Sequence, residues 1–280
     1  MSLEAPEIRI LAEQMTAVLP GKTVAATRLD DYQRMQQIGF FNADVTDYAR
    51  FAGSDVAGIR HRGMTLLIDF ANGWHLMLSP EYGGRVRYHP AVDTAGQKTH
   101  LLMTFTDGSR LAARMTGMGV VTAHDDIGLV SAYLWERDFG DVPGPFDTGF
   151  TADYLAGAVA GVTTGNMKSL LVGRDAVVVG FGNASFQDII HRAELHPKRK
   201  GASLDETEVN TLHASITELM AERLRLGGKV GFEDLNGTPG KYEPRMGPRY
   251  KGDQCPDCGT PVESMQLGGG VTYFCPECQQ

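Results

Sequence analysis

The spacing of apolar residues changes twice along this chain and divides it into three stretches. In residues 4–19, Ile8, Leu11, Ala12, Met15 and Leu19 recur at helical spacing, and Pro6 falls in the first turn, where a missing N–H does no harm. This predicts an opening helix. From about 22 to 140 the period shortens. Apolar runs such as 63–70 and 74–78 flank Asn72-Gly73, and runs 100–105 and 110–115 flank Asp107-Gly108. Asn-Gly and Asp-Gly between such runs are hairpin signals. Many short strands at this spacing predict a sandwich or barrel-like β domain. Residues 141–150, with two prolines and two glycines, read as a linker.

Beyond 150 the helical period returns. Candidate helices cover 151–160, 166–172 and 184–193, the last ended by His196-Pro197. The clearest starts at Ser203, with Ser203 and Glu206 as a capping box. Val209, Leu212, Ile216, Leu219, Met220 and Leu224 form its apolar stripe, and Gly227-Gly228 stops it. Residues 229–254 are rich in glycine and proline, and no internal repeat is visible. The end of the chain reads as a hairpin, with strands at 261–263 and 271–274 around Gly268-Gly269-Gly270.

The only four cysteines flank that hairpin, as Cys255-Pro256-Asp257-Cys258 and Cys275-Pro276-Glu277-Cys278, sixteen residues apart. Two knuckles at this spacing place four thiolates where one Zn²⁺ takes them all. Two disulfides or a redox pair are the alternatives. The turn position of each knuckle favours one structural zinc, which leaves no open coordination position and supplies folding energy to a hairpin too small to hold itself.

Composition narrows the class. No apolar run reaches the roughly 18 residues of a membrane span, and thiols reserved for metal point to a reducing, intracellular compartment. Met1-Ser2-Leu3 reads as partly an expression remnant. Net charge is −8, which argues against a protein coated with nucleic acid by bulk charge. Basic residues nevertheless cluster late, at Lys168, Arg174, His191-Arg192, Lys198-Arg199-Lys200, Arg245, Arg249 and Lys251. The histidines at 61, 75, 89, 100 and 124 lack ligand spacing and read as ordinary surface or core residues.

One constellation stands out. Val177-Val178-Val179 runs into Gly180-Phe181-Gly182-Asn183 at a helix start. Glycines let a backbone approach a ligand, and a helix N-terminus beside an asparagine amide is a natural phosphate seat.

Gly180-Phe181-Gly182-Asn183, His196-Pro197 with Arg199, the helix closed by Gly227-Gly228, Asn236-Gly237 with Pro239-Gly240-Lys241-Tyr242, the terminal cysteine hairpin and the opening Glu4-Ala5-Pro6-Glu7 together resemble the formamidopyrimidine-DNA glycosylase / endonuclease VIII family. The resemblance covers the chain in order, specifically from about 166 to 280 and loosely from 20 to 150. It implies an α+β multidomain fold: an N-terminal helix and β-sandwich over 1–140, a helix-two-turns-helix DNA-binding domain over 151–235, and a four-cysteine zinc finger over 236–280. It implies a monomeric, cytoplasmic, nucleoid-associated enzyme of base excision repair. Such an enzyme binds double-stranded DNA with a damaged base or abasic site, hydrolyses the N-glycosyl bond and cleaves the strand.

The family's nucleophile is an N-terminal proline amine that attacks C1′ of the damaged nucleotide, with an adjacent glutamate moving protons. An α-amine suits the task because its pKa lies near 8, so a good fraction is unprotonated at neutral pH. Carried across, Leu3 falls on the proline and Glu4 on the glutamate. Glu7 falls on a second family glutamate. Lys168 matches a lysine that approaches the lesion, Asn183 the phosphate-binding asparagine, and Cys255, Cys258, Cys275 and Cys278 the zinc ligands. Lys198 and Arg199 add DNA-facing charge. The departures are Leu3 for proline, Met64 for a strand lysine and Gly270 for the finger-tip arginine. Thr116-Gly117-Met118-Gly119 stands where the family inserts Arg and Phe into the void left by the flipped base, and Leu78 replaces a void-filling methionine. These losses make a family member that binds damaged DNA without turnover the alternative.

Overall fold

The computed structural model describes residues 3–90, 99–117, 119–162 and 164–280. The chain forms two compact units, one of Met1–Gly140 with Val230–Lys241, the other of Asp141–Lys229 with Tyr242–Gln280.

The first unit opens with helix α1 (Ala5–Val18), whose predicted face, Ile8, Leu11, Ala12 and Met15, is buried. Strands β1 (Val24–Leu29), β2 (Val56–Arg62), β3 (Thr65–Phe70), β4 (Trp74–Ser79), β5 (Arg85–His89), β6 (Leu101–Phe105), β7 (Arg110–Arg114) and β8 (Val120–Asp125) follow, with α2 (Tyr32–Gln37) between β1 and β2. Short helices α3 (Asp126–Val130) and α4 (Tyr133–Asp138) close the segment. The strands make two four-stranded antiparallel sheets, ordered β1-β6-β7-β5 and β2-β3-β4-β8.

Side-chain alternation explains the core. Leu66, Ile68 and Phe70 of β3 and Leu76 and Leu78 of β4 join Met103, Phe105 and Leu111 of the other sheet and the buried face of α1. The intervening Leu67 and Met77 point the other way and are covered by Leu129 and Leu134. Strand β3 is therefore buried on both faces, and this is why its sequence is a nearly unbroken apolar run. Both hairpin turns form as expected: Gly73 and Gly108 take positive φ (+79° and +85°), and the Asn72 and Asp107 side chains accept from Trp74 and Ser109 N–H.

The segment 230–241 crosses back to pack on this first unit. Asp234 accepts from Gln14 Nε2 (2.8 Å), Leu235 N–H donates to Gln14 Oε1 (2.9 Å), and Tyr88 N–H donates to the Leu235 carbonyl (3.0 Å). Phe232 and Leu235 enter the core. His75 is bonded to Asp69 of β3 (2.6 Å) and to Asp126 at the start of α3 (3.0 Å), which ties the sheet to that helix.

The second unit contains α5 (Ala152–Gly161), α6 (Met167–Leu171), α7 (Asn183–Arg192) and α8 (Glu206–Arg225), then the hairpin β9 (Glu263–Leu267) and β10 (Gly270–Phe274). Helix α8 packs on α5 and α7 through Val209, Leu212, Ile216, Leu219 and Met220. Its capping box lies two residues beyond the expected Ser203. Asp205 accepts from Glu208 N–H (2.8 Å), and Glu208 accepts from Asp205 N–H (2.9 Å). A carboxylate is the stronger partner at the positive end of the helix, and Ser203 turns back to the Lys200 carbonyl instead. Gly227 and Gly228, both at positive φ, end α8 as predicted. Among the described residues no helix is long and apolar enough to cross a membrane.

Candidate functional site

The terminal hairpin folds around its cysteines. β9 and β10 pair from Glu263↔Phe274 to Leu267↔Gly270, and a Gly268-Gly269 loop with both φ positive (+50° and +76°) turns between them. The two knuckles converge beneath this hairpin. Cys255 and Cys278 sulfurs lie 3.9 Å apart, Cys258 and Cys275 sulfurs 3.5 Å, and all four fall within 4.8 Å of one another. A tetrahedron with metal–sulfur bonds of ~2.3 Å has edges of about 3.8 Å, so the four sulfurs fit one Zn²⁺. All four thiols are free, which removes the disulfide alternative. Hydrogen bonds from Thr260 lower the Cys258 thiol to about 6, whereas burial raises Cys275 and Cys278, so it is a bound metal that would hold all four as thiolates. The site is a closed four-thiolate structural centre.

Helix α7 lies against this finger. It begins after Gly182, so Asn183 occupies its first turn, and the Asn183 amide donates to the Val271 carbonyl of β10 (3.0 Å). The Asn183 Oδ1 is shielded from solvent and has no hydrogen-bond partner among the described residues. One turn on, Gln187 accepts from Tyr273 N–H (2.6 Å) and donates to the Asn183 carbonyl (2.8 Å). Lys168 arrives from α6, whose first turn is capped by Asn166. Its ammonium donates to the Leu267 carbonyl (2.7 Å) and lies 6.0 Å from the Phe186 ring centroid. Lys168 is only 6% exposed, and burial lowers its pKa. The structure thus brings Lys168, Asn183 and the finger tip together.

The other basic candidates behave differently. Lys198 is exposed. The Arg199 guanidinium pairs with Glu208 (2.8 Å) and donates to the Ser203 hydroxyl and carbonyl, tying the His196-Pro197 turn to the start of α8. The C-terminus seals this turn: Gln279 donates to the Leu195 carbonyl and accepts from Cys275 N–H.

In the first unit, Leu3 is buried (4% exposed) within the hydrophobic core. Glu4 precedes α1 in extended conformation, fully buried, and its backbone N–H donates to the Glu7 carboxylate (3.1 Å). Glu7 therefore fixes the backbone that presents Glu4. Met64 sits in the β2–β3 turn rather than in a strand, its N–H donating to Asp138.

Leu78 is wholly buried in the core, so it has no free side chain to fill a void. Met118 lies outside the described residues. An aromatic residue that no sequence motif marks stands beside Thr116 and Gly117. Tyr82 is 52% exposed at φ +53°, a rare conformation for a bulky residue. The Thr116 hydroxyl donates to its carbonyl (2.6 Å), and Gly117 leaves the space its side chain fills, since a Cβ there would lie 2.6 Å from the Tyr82 Cβ.

Three family models match the chain in succession. They describe the formamidopyrimidine-DNA glycosylase N-terminal domain (residues 3–117), the H2TH domain of that enzyme (142–233) and the zinc finger found in FPG and IleRS (252–280). The formamidopyrimidine-DNA glycosylase of Laribacter hongkongensis is 29% identical over 99% of both chains, and that of Bacillus subtilis 28% identical over 99% of this chain and 98% of its own. Among solved structures, Lactococcus lactis Fpg in complex with DNA containing an abasic site superimposes with a TM-score of 0.81 at 23% identity, covering 99% of both chains. The MutM (Fpg) protein from Thermus thermophilus gives 0.81 at 23% identity, over 99% of this chain and 98% of its own. The four-thiolate hairpin, the asparagine-headed helix and the two-sheet domain behind α1 follow one another as these matches require, and the chain belongs to the formamidopyrimidine-DNA glycosylase family.

Proposed function

We propose that this chain is a DNA glycosylase and abasic-site lyase of base excision repair, acting on duplex DNA with a damaged base or abasic site. The observation that carries the reading is the assembly of Asn183, Lys168 and the zinc-finger tip. An amide, a cation and a helix N-terminus gathered against one hairpin suit the grip of a sugar-phosphate strand. Zinc, held by Cys255, Cys258, Cys275 and Cys278, supplies rigidity to the hairpin and no reaction step.

In the proposed chemistry the free amine at the mature N-terminus attacks C1′ of a nucleotide turned out of the stack. Its nitrogen bonds to C1′, and the base leaves with the electrons of the N-glycosyl bond and a proton. The C1′–O4′ bond then breaks, with a proton delivered to O4′ and the amine proton lost, which leaves an open-chain imine; removal of a C2′ proton then expels the 3′ phosphate by β-elimination. The peptide nitrogen of Leu3 is delocalised and qualifies only if processing makes it that amine. Glu4, poised at the head of α1 by Glu7, shuttles the protons. Tyr82, exposed and buttressed by Thr116 and Gly117, is proposed to occupy the space vacated by the turned-out nucleotide in place of Leu78.

Leu3, Met64 and Gly270, each replacing a residue on which the family's chemistry or grip depends, favour a second reading: binding of damaged DNA without turnover. Borohydride trapping on an abasic duplex separates the two. The enzyme gives a covalent adduct that disappears on acetylating the N-terminus and weakens with Glu4→Gln. Tight binding with neither adduct nor strand scission establishes the binder and sinks the enzyme.

A further inference from the structure

Helix α7 faces the finger with residues four apart: Asn183, Gln187 and His191. The first two reach Val271 and Tyr273, alternate residues of β10, at 3.0 and 2.6 Å. The third reaches a zinc ligand. His191 is 2% exposed, and its Nε2 lies 3.7 Å from the Cys255 sulfur and 3.6 Å from an Asp257 carboxylate oxygen. Four helical residues rise about 6 Å. Two residues of an antiparallel strand advance about 6.8 Å. The two periods nearly coincide, so one helix face meets successive positions of the finger without slipping register.

We infer that His191 is a positioning residue of the zinc site, an outer partner that donates its Nε2–H to the Cys255 thiolate and forms the last rung of a polar seam along α7. Both neighbours of Nε2 are acceptors, so this nitrogen carries the proton. A hydrogen bond to a ligating sulfur orients it and restrains its departure, as partners outside the coordination sphere do in metal sites generally. The seam also gives the finger a second function. The metal end, at His191, and the asparagine end, at Asn183, belong to one helix face, so loosening the thiolates loosens the strand that Asn183 holds. His191, Cys255 and Asp257 also lie close enough together to be weighed as a metal trio of their own. Against this, the four sulfurs already form a complete tetrahedron, which leaves His191 outside the coordination sphere.

The test uses the full-length zinc-loaded protein and needs no DNA, so its failure is distinguishable from failure of the glycosylase reading. His191→Phe keeps the ring volume and removes the donor; His191→Gln keeps an N–H near Nε2. The expected result is zinc release to a chromogenic chelator accelerated by about tenfold or more in His191→Phe, with His191→Gln close to wild type. In cobalt-substituted protein, His191→Phe should leave the sulfur-to-metal charge-transfer band unchanged. Equal release rates for all three proteins would overturn the inference, and a shifted band would overturn it in favour of direct ligation. Should His191→Phe fail to fold, the wild type decides. With cadmium bound and histidine nitrogen-labelled, a scalar coupling between the His191 Nε2 proton and the metal nucleus is expected, and its absence refutes the bond.

Discussion

Replacing Lys168 with methionine tests whether the buried ammonium at the finger tip contributes to DNA binding. Methionine keeps most of the stem that packs beneath Gly268 and deletes the charge. The bond to the Leu267 carbonyl is charge-assisted, of a class worth roughly 1.5–3 kcal/mol, but burial of the ammonium, which lowers its pKa, works against it here. The net change in folding stability should therefore be small. Binding should respond more. Each phosphate neutralised contributes about 0.9 to the slope of log K against log salt. Over a fourfold rise in salt, wild type should lose about 3.5-fold more affinity than Lys168→Met. Protonation adds an independent signature. The folded pKa of Lys168 lies below its ordinary 10.5, so between the two values the unfolded chain holds the proton more tightly and folding stability rises with pH. Phosphate favours the ammonium, so affinity for DNA should fall through the same window, and Lys168→Met should lack this step. Fluorescence anisotropy with an abasic-analogue duplex, across salt and pH, reads both. Identical salt slopes and pH profiles for the two proteins would refute a phosphate contact and leave Lys168 as a strut for the finger.

Two further outcomes are expected. Tyr82→Ala should cost about 1–3 kcal/mol in affinity for abasic over intact duplex if the ring stacks in the gap, with stability shifted by no more than about 0.5 kcal/mol because the side chain is exposed; competition binding and a thermal melt measure the two. Asp205→Ala should destabilise the second unit by about 1 kcal/mol, whereas Ser203→Ala should change little. Equal losses in the denaturant midpoints of these variants would place the cap of α8 back at Ser203.

The sequence was informative where a residue's partners lie in its own segment. The period of α1, the turns at Gly73 and Gly108 and the cysteine knuckles all concern neighbours within a few positions, and each stands where the pattern put it. Strand β2 was harder to see, because a half-exposed edge strand containing Gly58, Arg60 and His61 has little apolar signal. The return of 230–241 to the first unit depends on Gln14, more than two hundred residues away, and no local composition announces it. Glycine substitutions show the deeper difficulty. In sequence, Gly270 reads only as a lost cation. In the folded hairpin a Cβ at Gly268 would stand 3.2 Å from Lys168 Cδ, and one at Gly270 would stand 3.5 Å from Nζ. The bare Gly268 leaves room for the Lys168 stem against the hairpin loop, whereas a Cβ at Gly270 would make only an ordinary contact with the ammonium. An arginine at 270 would bring a second positive charge beside that ammonium, and like charges so close repel. The tip thus keeps one positive charge, the Lys168 ammonium, where the finger-tip arginine is lost.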